Sequence, residues 1–115
     1  MAARFQFRLE PLLKLRKSLE QDAQRQLALR IEARNLIEIQ LKELQQEHIK
    51  SLESRRLGPG EEVDLSFWAD LERFLVFLEK RIAHARADLE AAEQEIVQAR
   101  VKLTRAHQDY LMLLR

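Results

Sequence analysis

The chain has 115 residues, 34% of them charged, with a net charge of +1, two glycines, two prolines and no cysteine. A single domain of long helices fits that makeup, and a disulfide framework or thiol chemistry is excluded. No apolar run approaches the roughly 20 residues of a bilayer span, and Met1-Ala2-Ala3-Arg4-Phe5 lacks a signal peptide's apolar core, so a soluble intracellular protein is expected.

The first element is a helix over about residues 8–56. Pro11 suits the first turn of a helix starting near Arg8, which leaves Phe5 and Phe7 extended. Its apolar stripe runs Leu12, Leu15, Leu19, Ala23, Leu27, Ile31, Arg34, Ile37, Leu41, Leu44, His48, Leu52. The mean step of about 3.64 is nearer a straight helix than a heptad coil, so a local adjustment is expected between Ile31 and Ile37 where this helix meets its partner.

The helix-breaking cluster Gly58-Pro59-Gly60 lies within residues 57–63 and predicts a tight reversal there. Asp64 offers an N-cap to a second helix over about 64–114. Along that helix an a series reads Trp68, Leu75, Ile82, Leu89, Ile96, Leu103, Tyr110, and a d series reads Leu71, Leu78, Ala85, Ala92, Ala99, Ala106, Leu113. A 3.5 spacing kept this long requires a supercoiled partner, because a lone 3.6 helix turns its stripe away by about 20° per heptad. The four consecutive alanines at d leave no bulk between the backbones and call for close packing there.

At about 1.5 Å per residue the two helices are of matched length, roughly 70 and 75 Å. A short link between matched helices predicts an all-α fold, a long antiparallel two-helix coiled-coil hairpin with a Gly-Pro-Gly turn, occupying residues 1–115 as one domain. Paired positions are expected to total about 120, with Leu52 beside Trp68 and Leu12 beside Tyr110. A long helix that dimerises with another chain is the rival, and the glycine-proline cluster counts against it.

The near-neutral total hides a gradient. Residues 1–30 and 100–115 together carry +7, and residues 31–99 carry −6. The open end of the hairpin is therefore basic and the body acidic, which orients the molecule toward a partner of matching pattern. Pairs such as Glu10 with Lys14 and Glu38 with Lys42 supply ordinary helix-surface contacts.

An enzyme is not expected, since a two-helix hairpin encloses no pocket in which a carboxylate could be tuned for proton transfer. His48, His84 and His107 are too far apart in sequence for an i, i+4 ligand pair, and the hairpin pairing brings none together, so no metal or other cofactor is expected. Gly58-Pro59-Gly60 lacks the Lys and Ser/Thr of a phosphate loop.

Large apolar groups outside the seam are the better clues. Phe67, Phe74, Val76 and Phe77 on the second helix, and Leu29, Leu36, Ile39 and Ile49 on the first, fall on other faces, as contact residues do. At the open end Phe5, Phe7, Leu9 and Leu13 face Leu111, Met112 and Leu114 among basic side chains, a cluster made either to cap the hairpin or to enter something.

The opening Phe5-x-Phe7-Arg8-Leu9-Glu10-x-Leu12-Leu13-Lys14-Leu15-Arg16, followed by Glu20, Ala23 and Leu27-Ala28, resembles the start of the FliJ family of flagellar export proteins. Trp68, then Phe74-Leu75-x-x-Leu78-Glu79-Lys80-x-Ile82, is similar to the start of that family's second helix. The resemblance implies a coiled-coil central stalk that binds and stimulates the hexameric flagellar type III export ATPase. It also implies binding to the cytoplasmic domain of the export gate protein and escort of export chaperones, at the cytoplasmic face of the inner membrane, with no membrane insertion and no nucleic acid. The ring contact is expected from Arg4, Phe5, Phe7, Arg8, Leu9, Leu13, Arg105, Leu111, Met112 and Leu114. The family's gate-binding face matches Gln40, Leu44, Phe74 and Leu78, while two positions aromatic in some relatives are Glu47 and Ser51.

Three other functions share parts of this pattern. The equivalent stalk of a virulence type III secretion system has the same shape and task. A nucleic-acid-binding coiled-coil arm would use the basic end, but the acidic body repels phosphate and no aromatic and basic residues interleave along a face. A prefoldin-like chaperone needs strands between its helices, which residues 57–63 are too few to supply.

Overall fold

In a computed structural model the chain forms two helices, α1 (Ala2–Leu57) and α2 (Leu65–Leu114), packed as a helical hairpin. The structure describes the backbone of both helices and the side chains of residues 9–56 and 65–114. The expected turn at Gly58-Pro59-Gly60 and the Asp64 cap lie outside the described residues.

The helix start differs from expectation. α1 begins at Ala2 rather than near Arg8, so Phe5 and Phe7 are helical and Pro11 sits inside the helix. Proline removes one amide donor and crowds the preceding turn at a cost of about 3 kcal/mol. Residues 2–10 contain no glycine and no β-branched side chain, so the backbone continues across that single defect. At the other end, Arg55 and Arg56 in the last turn suit the negative pole of the helix dipole.

The helices divide into two compact units, Met1–Ala33 with Ala92–Arg115, and Arg34–Ala91. In the first unit the segments run antiparallel, joined by Arg16 to Asp109 at 3.7 Å, Arg30 to Glu95 at 3.0 Å and His107 to Glu20 at 2.7 Å. From α2 this unit buries Ala92, Ile96 and Ala99 and half-buries Leu103, Ala106, Tyr110 and Leu113.

From α1 the inward residues of that unit are Leu9, Leu13, Arg16, Glu20, Ala23, Leu27 and Ile31. This corrects the stripe read from the sequence, because Leu12, Leu15 and Leu19 are exposed. The reason is the partner's period. α2 repeats strictly every seven residues, and a helix that faces it must do the same, as Leu9, Arg16, Ala23 and Leu13, Glu20, Leu27 do. Ile31 is the departure: the heptad would fall on Arg30, which instead reaches out to Glu95.

The second unit keeps the same period. Arg34, Leu41, His48 and Ile37, Leu44, Ser51 turn inward, and Ser51 is only 6% exposed while Leu52 lies outside. Leu41, Ile82 and Ala85 form a core against which Leu44 and Leu89 pack. Leu75 is the most buried side chain of α2 at 2% exposure, and Trp68 and Leu71 are half-buried.

The pairing register also differs from expectation. Partners across the helices have numbers that total 125 or 127 in the first unit and 127 in the second, rather than about 120. Two causes add. The helix ends at Leu57 and Leu65 are centred on position 61, and in an antiparallel pair each side chain leans about one position toward its own N-terminus.

Candidate interaction surfaces

The residues expected to contact an ATPase ring all belong to the first unit. Arg4, Phe5, Phe7 and Arg8 lie in α1, with side chains outside the described residues. Leu9 and Leu13 are half-buried in the helix seam, whereas Arg105, Leu111, Met112 and Leu114 are exposed, Met112 to 72%. Salt bridges consume part of the unit's charge: Arg16, Arg25 and Arg30 hold Asp109, Asp22 and Glu95. Lys14, Lys17, Arg100, Lys102 and Arg105 hold no carboxylate among the described residues, and Glu10, Glu32 and Glu93 hold no cation there, which leaves a small excess of free positive charge.

The residues expected at an export gate belong to the second unit, and they separate into two kinds. Leu78 is 3% exposed and Leu44 packs on the Leu41 core, so both serve the hairpin itself. Gln40 is exposed, and Phe74 is 39% exposed. Phe74 stacks on Phe77 with ring centroids 6.3 Å apart, and the Arg81 guanidinium lies 5.7 Å over the Phe77 ring. These rings make an aromatic surface with a fixed cation beside it. Arg81 is the member that sequence reasoning missed, although its i, i+4 spacing from Phe77 was a usable signal. Phe67, expected on an outer face, is half-buried and meets Trp68 edge to face at 5.6 Å.

The seam carries polar groups: Arg34 and His48, which the stripe included, and Glu20, which it did not. Glu20, with its side chain 14% exposed, meets His107. Arg34 turns its guanidinium back to Glu38 at 2.8 Å, keeping its charge near water while its stem covers the seam, although its Nε is buried without a hydrogen bond. His48 Nε2 lies 3.5 Å from Glu79 Oε1, an ion-pair distance without hydrogen-bond geometry. Of the two surface pairs expected within helices, Glu38 and Lys42 approach to 3.9 Å, and Glu10 and Lys14 form none.

Each histidine thus faces a single carboxylate, His84 meeting Asp88 at 3.5 Å, and no group of three or more metal-binding side chains assembles among the described residues. Among the described residues no helix is long and apolar enough to cross a membrane. A cavity of about 300 Å³ opens over Ala23 and Ala99 in the first unit, where two alanines face each other and leave the seam shallow. These surfaces suit contact with other proteins, through exposed aromatic and aliphatic groups set beside unpaired cations.

Neither the curated proteins nor the solved structures gave a match to this chain. The family model described as flagellar FliJ protein matches residues 5–112, nearly the full length, and the chain belongs to that family.

Proposed function

We propose that this chain, a non-catalytic component of flagellar protein export by its family, is the coiled-coil stalk of the type III export ATPase. Its open end enters and stimulates the ATPase hexamer, its Phe74 surface contacts the cytoplasmic domain of the export gate, and it escorts export chaperones. The observations that support the ring contact are exposed Leu111, Met112 and Leu114 and, in the same unit, Lys14, Lys17 and Arg105, which hold no carboxylate among the described residues. Cations raise the encounter rate with an acidic lining, and the apolar side chains supply anchors once inside.

The hairpin has no rotational symmetry, so it presents different side chains to successive subunits of a ring. Each subunit's conformational equilibrium then shifts by the difference in its contacts, and a subunit that met identical contacts would not shift at all. The gate surface is carried by Phe74, since it and Gln40 are the two members of the expected set that reach solvent.

The test is a pull-down of the full chain with the flagellar ATPase and the gate domain, read beside the rate of ATP hydrolysis. Charge reversal at Arg4, Arg8 and Arg105 is expected to lower stimulation while helicity by circular dichroism stays intact. Full stimulation by that variant would refute the placement of the open end in the ring.

A further inference from the structure

Leu12, Leu15 and Leu19 stand at i, i+3 and i+7 on one face of α1, Leu15 55% exposed, directly beside the seam positions Leu13, Arg16 and Glu20. The 300 Å³ cavity of the same unit has Gln26 on its α1 side and Gln98 and Lys102 on its α2 side. Leu19 and Leu12 precede Gln26 by one and two heptads, and Arg105 and Met112 follow Gln98 by one and two, so all four continue the flank that the cavity marks.

The charges on this flank are selective. Its carboxylates are each held by an arginine, Asp22 by Arg25, Glu95 by Arg30 and Asp109 by Arg16. Lys102 and Arg105 are exposed and hold none among the described residues. The flank therefore offers a line of leucines on one side and two free cations on the other, with a cavity in the same line able to admit a side chain.

We infer that this flank is a docking strip for an acidic amphipathic helix of a partner protein, laid alongside the hairpin as a third helix. Apolar residues of that helix at i, i+3 and i+7 cover Leu12, Leu15 and Leu19, and its carboxylates meet Lys102 and Arg105. The strip shares Arg105 and Met112 with the open end but stands on the exposed leucines and the arginine-held carboxylates, so it goes beyond the ATPase reading and does not require it.

The probe is a fluorescein-labelled synthetic three-heptad peptide with leucines at helical spacing and glutamates beside them, compared with the same peptide carrying lysines for the glutamates. Anisotropy titration against the full chain is expected to show the acidic peptide binding about tenfold or more tightly than the basic one, with the gap closing as salt rises. Lys102→Glu with Arg105→Glu is expected to reverse the preference. Leu15→Ser with Leu19→Ser is expected to lower acidic-peptide affinity about tenfold with an unchanged thermal midpoint. Equal affinity for both peptides, or undiminished binding by the leucine variant, overturns the inference. A large fall in the variant's thermal midpoint returns the leucines to the seam, and a wild-type dimer in sedimentation that the leucine variant dissociates assigns the strip to a second copy. Either result also overturns it.

Discussion

His107 Nδ1 lies 2.7 Å from Glu20 Oε1, joining α2 to α1 at a position of α1 where the apolar pattern had placed Leu19 in the seam. The pair shows how the first unit settles a conflict between hydrophobicity and period. Glu20 keeps the heptad of its partner and finds a polar group there, and the leucine beside it goes to solvent.

Because Glu20 is mostly covered, Glu20→Leu exchanges a paired carboxylate for apolar burial at a site already shaped for the seam. His107 stays half-exposed and hydrated after losing its partner. Stability is expected to rise by about 1 kcal/mol, read as a higher thermal midpoint by circular dichroism. A lower midpoint would mean that the Glu20–His107 contact itself holds this part of the hairpin.

Leu15 separates the observed seam from the straight stripe, with Leu41, common to both, as the reference. Leu41→Ala, in the core with Ile82 and Ala85, is expected to cost about 2 to 5 kcal/mol in urea denaturation. Leu15→Ala is expected to cost less than about 1 kcal/mol because it is already half in water. Similar losses for the two would show that α1 faces its partner with the other stripe.

Ala92 is buried at d, between Ala85 and Ala99 of the same series. Ala92→Leu is expected to destabilise the hairpin by about 1 to 3 kcal/mol through overpacking, in the same denaturation assay. A neutral result would count against close approach of the helices at that level.

Phe74 and Leu78 are one turn apart and expected to behave oppositely. Phe74→Ala leaves the thermal midpoint nearly unchanged and weakens binding to the gate domain by about 2 kcal/mol, roughly 30-fold, in calorimetric titration. Leu78→Ala instead costs about 2 to 5 kcal/mol of stability, as its burial requires. Loss of stability with Phe74→Ala would make that ring part of the fold rather than of a surface.

The fold was legible where one physical signal dominated. Between Trp68 and Leu113 every a and d residue is buried or half-buried in the structure, and in that stretch nothing competes with the 3.5 repeat. Phe74 was legible as an outward residue for the same reason, since a large aromatic at g has no place in a narrow seam. Leu44 and Leu78 belong to the seam by their spacing and to a contact face by the family resemblance, and their burial assigns them to the seam. Pro11 departs from its expected place in the first turn because its position preference is weak beside the helical propensity of its neighbours.

What the sequence determined by itself is the all-helical hairpin and the face of α2 that is covered, because an unbroken heptad repeat admits one supercoiled arrangement. Only the tertiary structure decided which residues of α1 ahead of Ala23 meet that face, the stripe from Ala23 to His48 being the one the sequence indicates. Leu12, Leu15, Leu19 and Leu13, Arg16, Glu20 are one position apart, and hydrophobicity alone favours the first. The second is taken because α2 imposes its own period and brings Asp109 and His107 from the far end of the chain to receive Arg16 and Glu20.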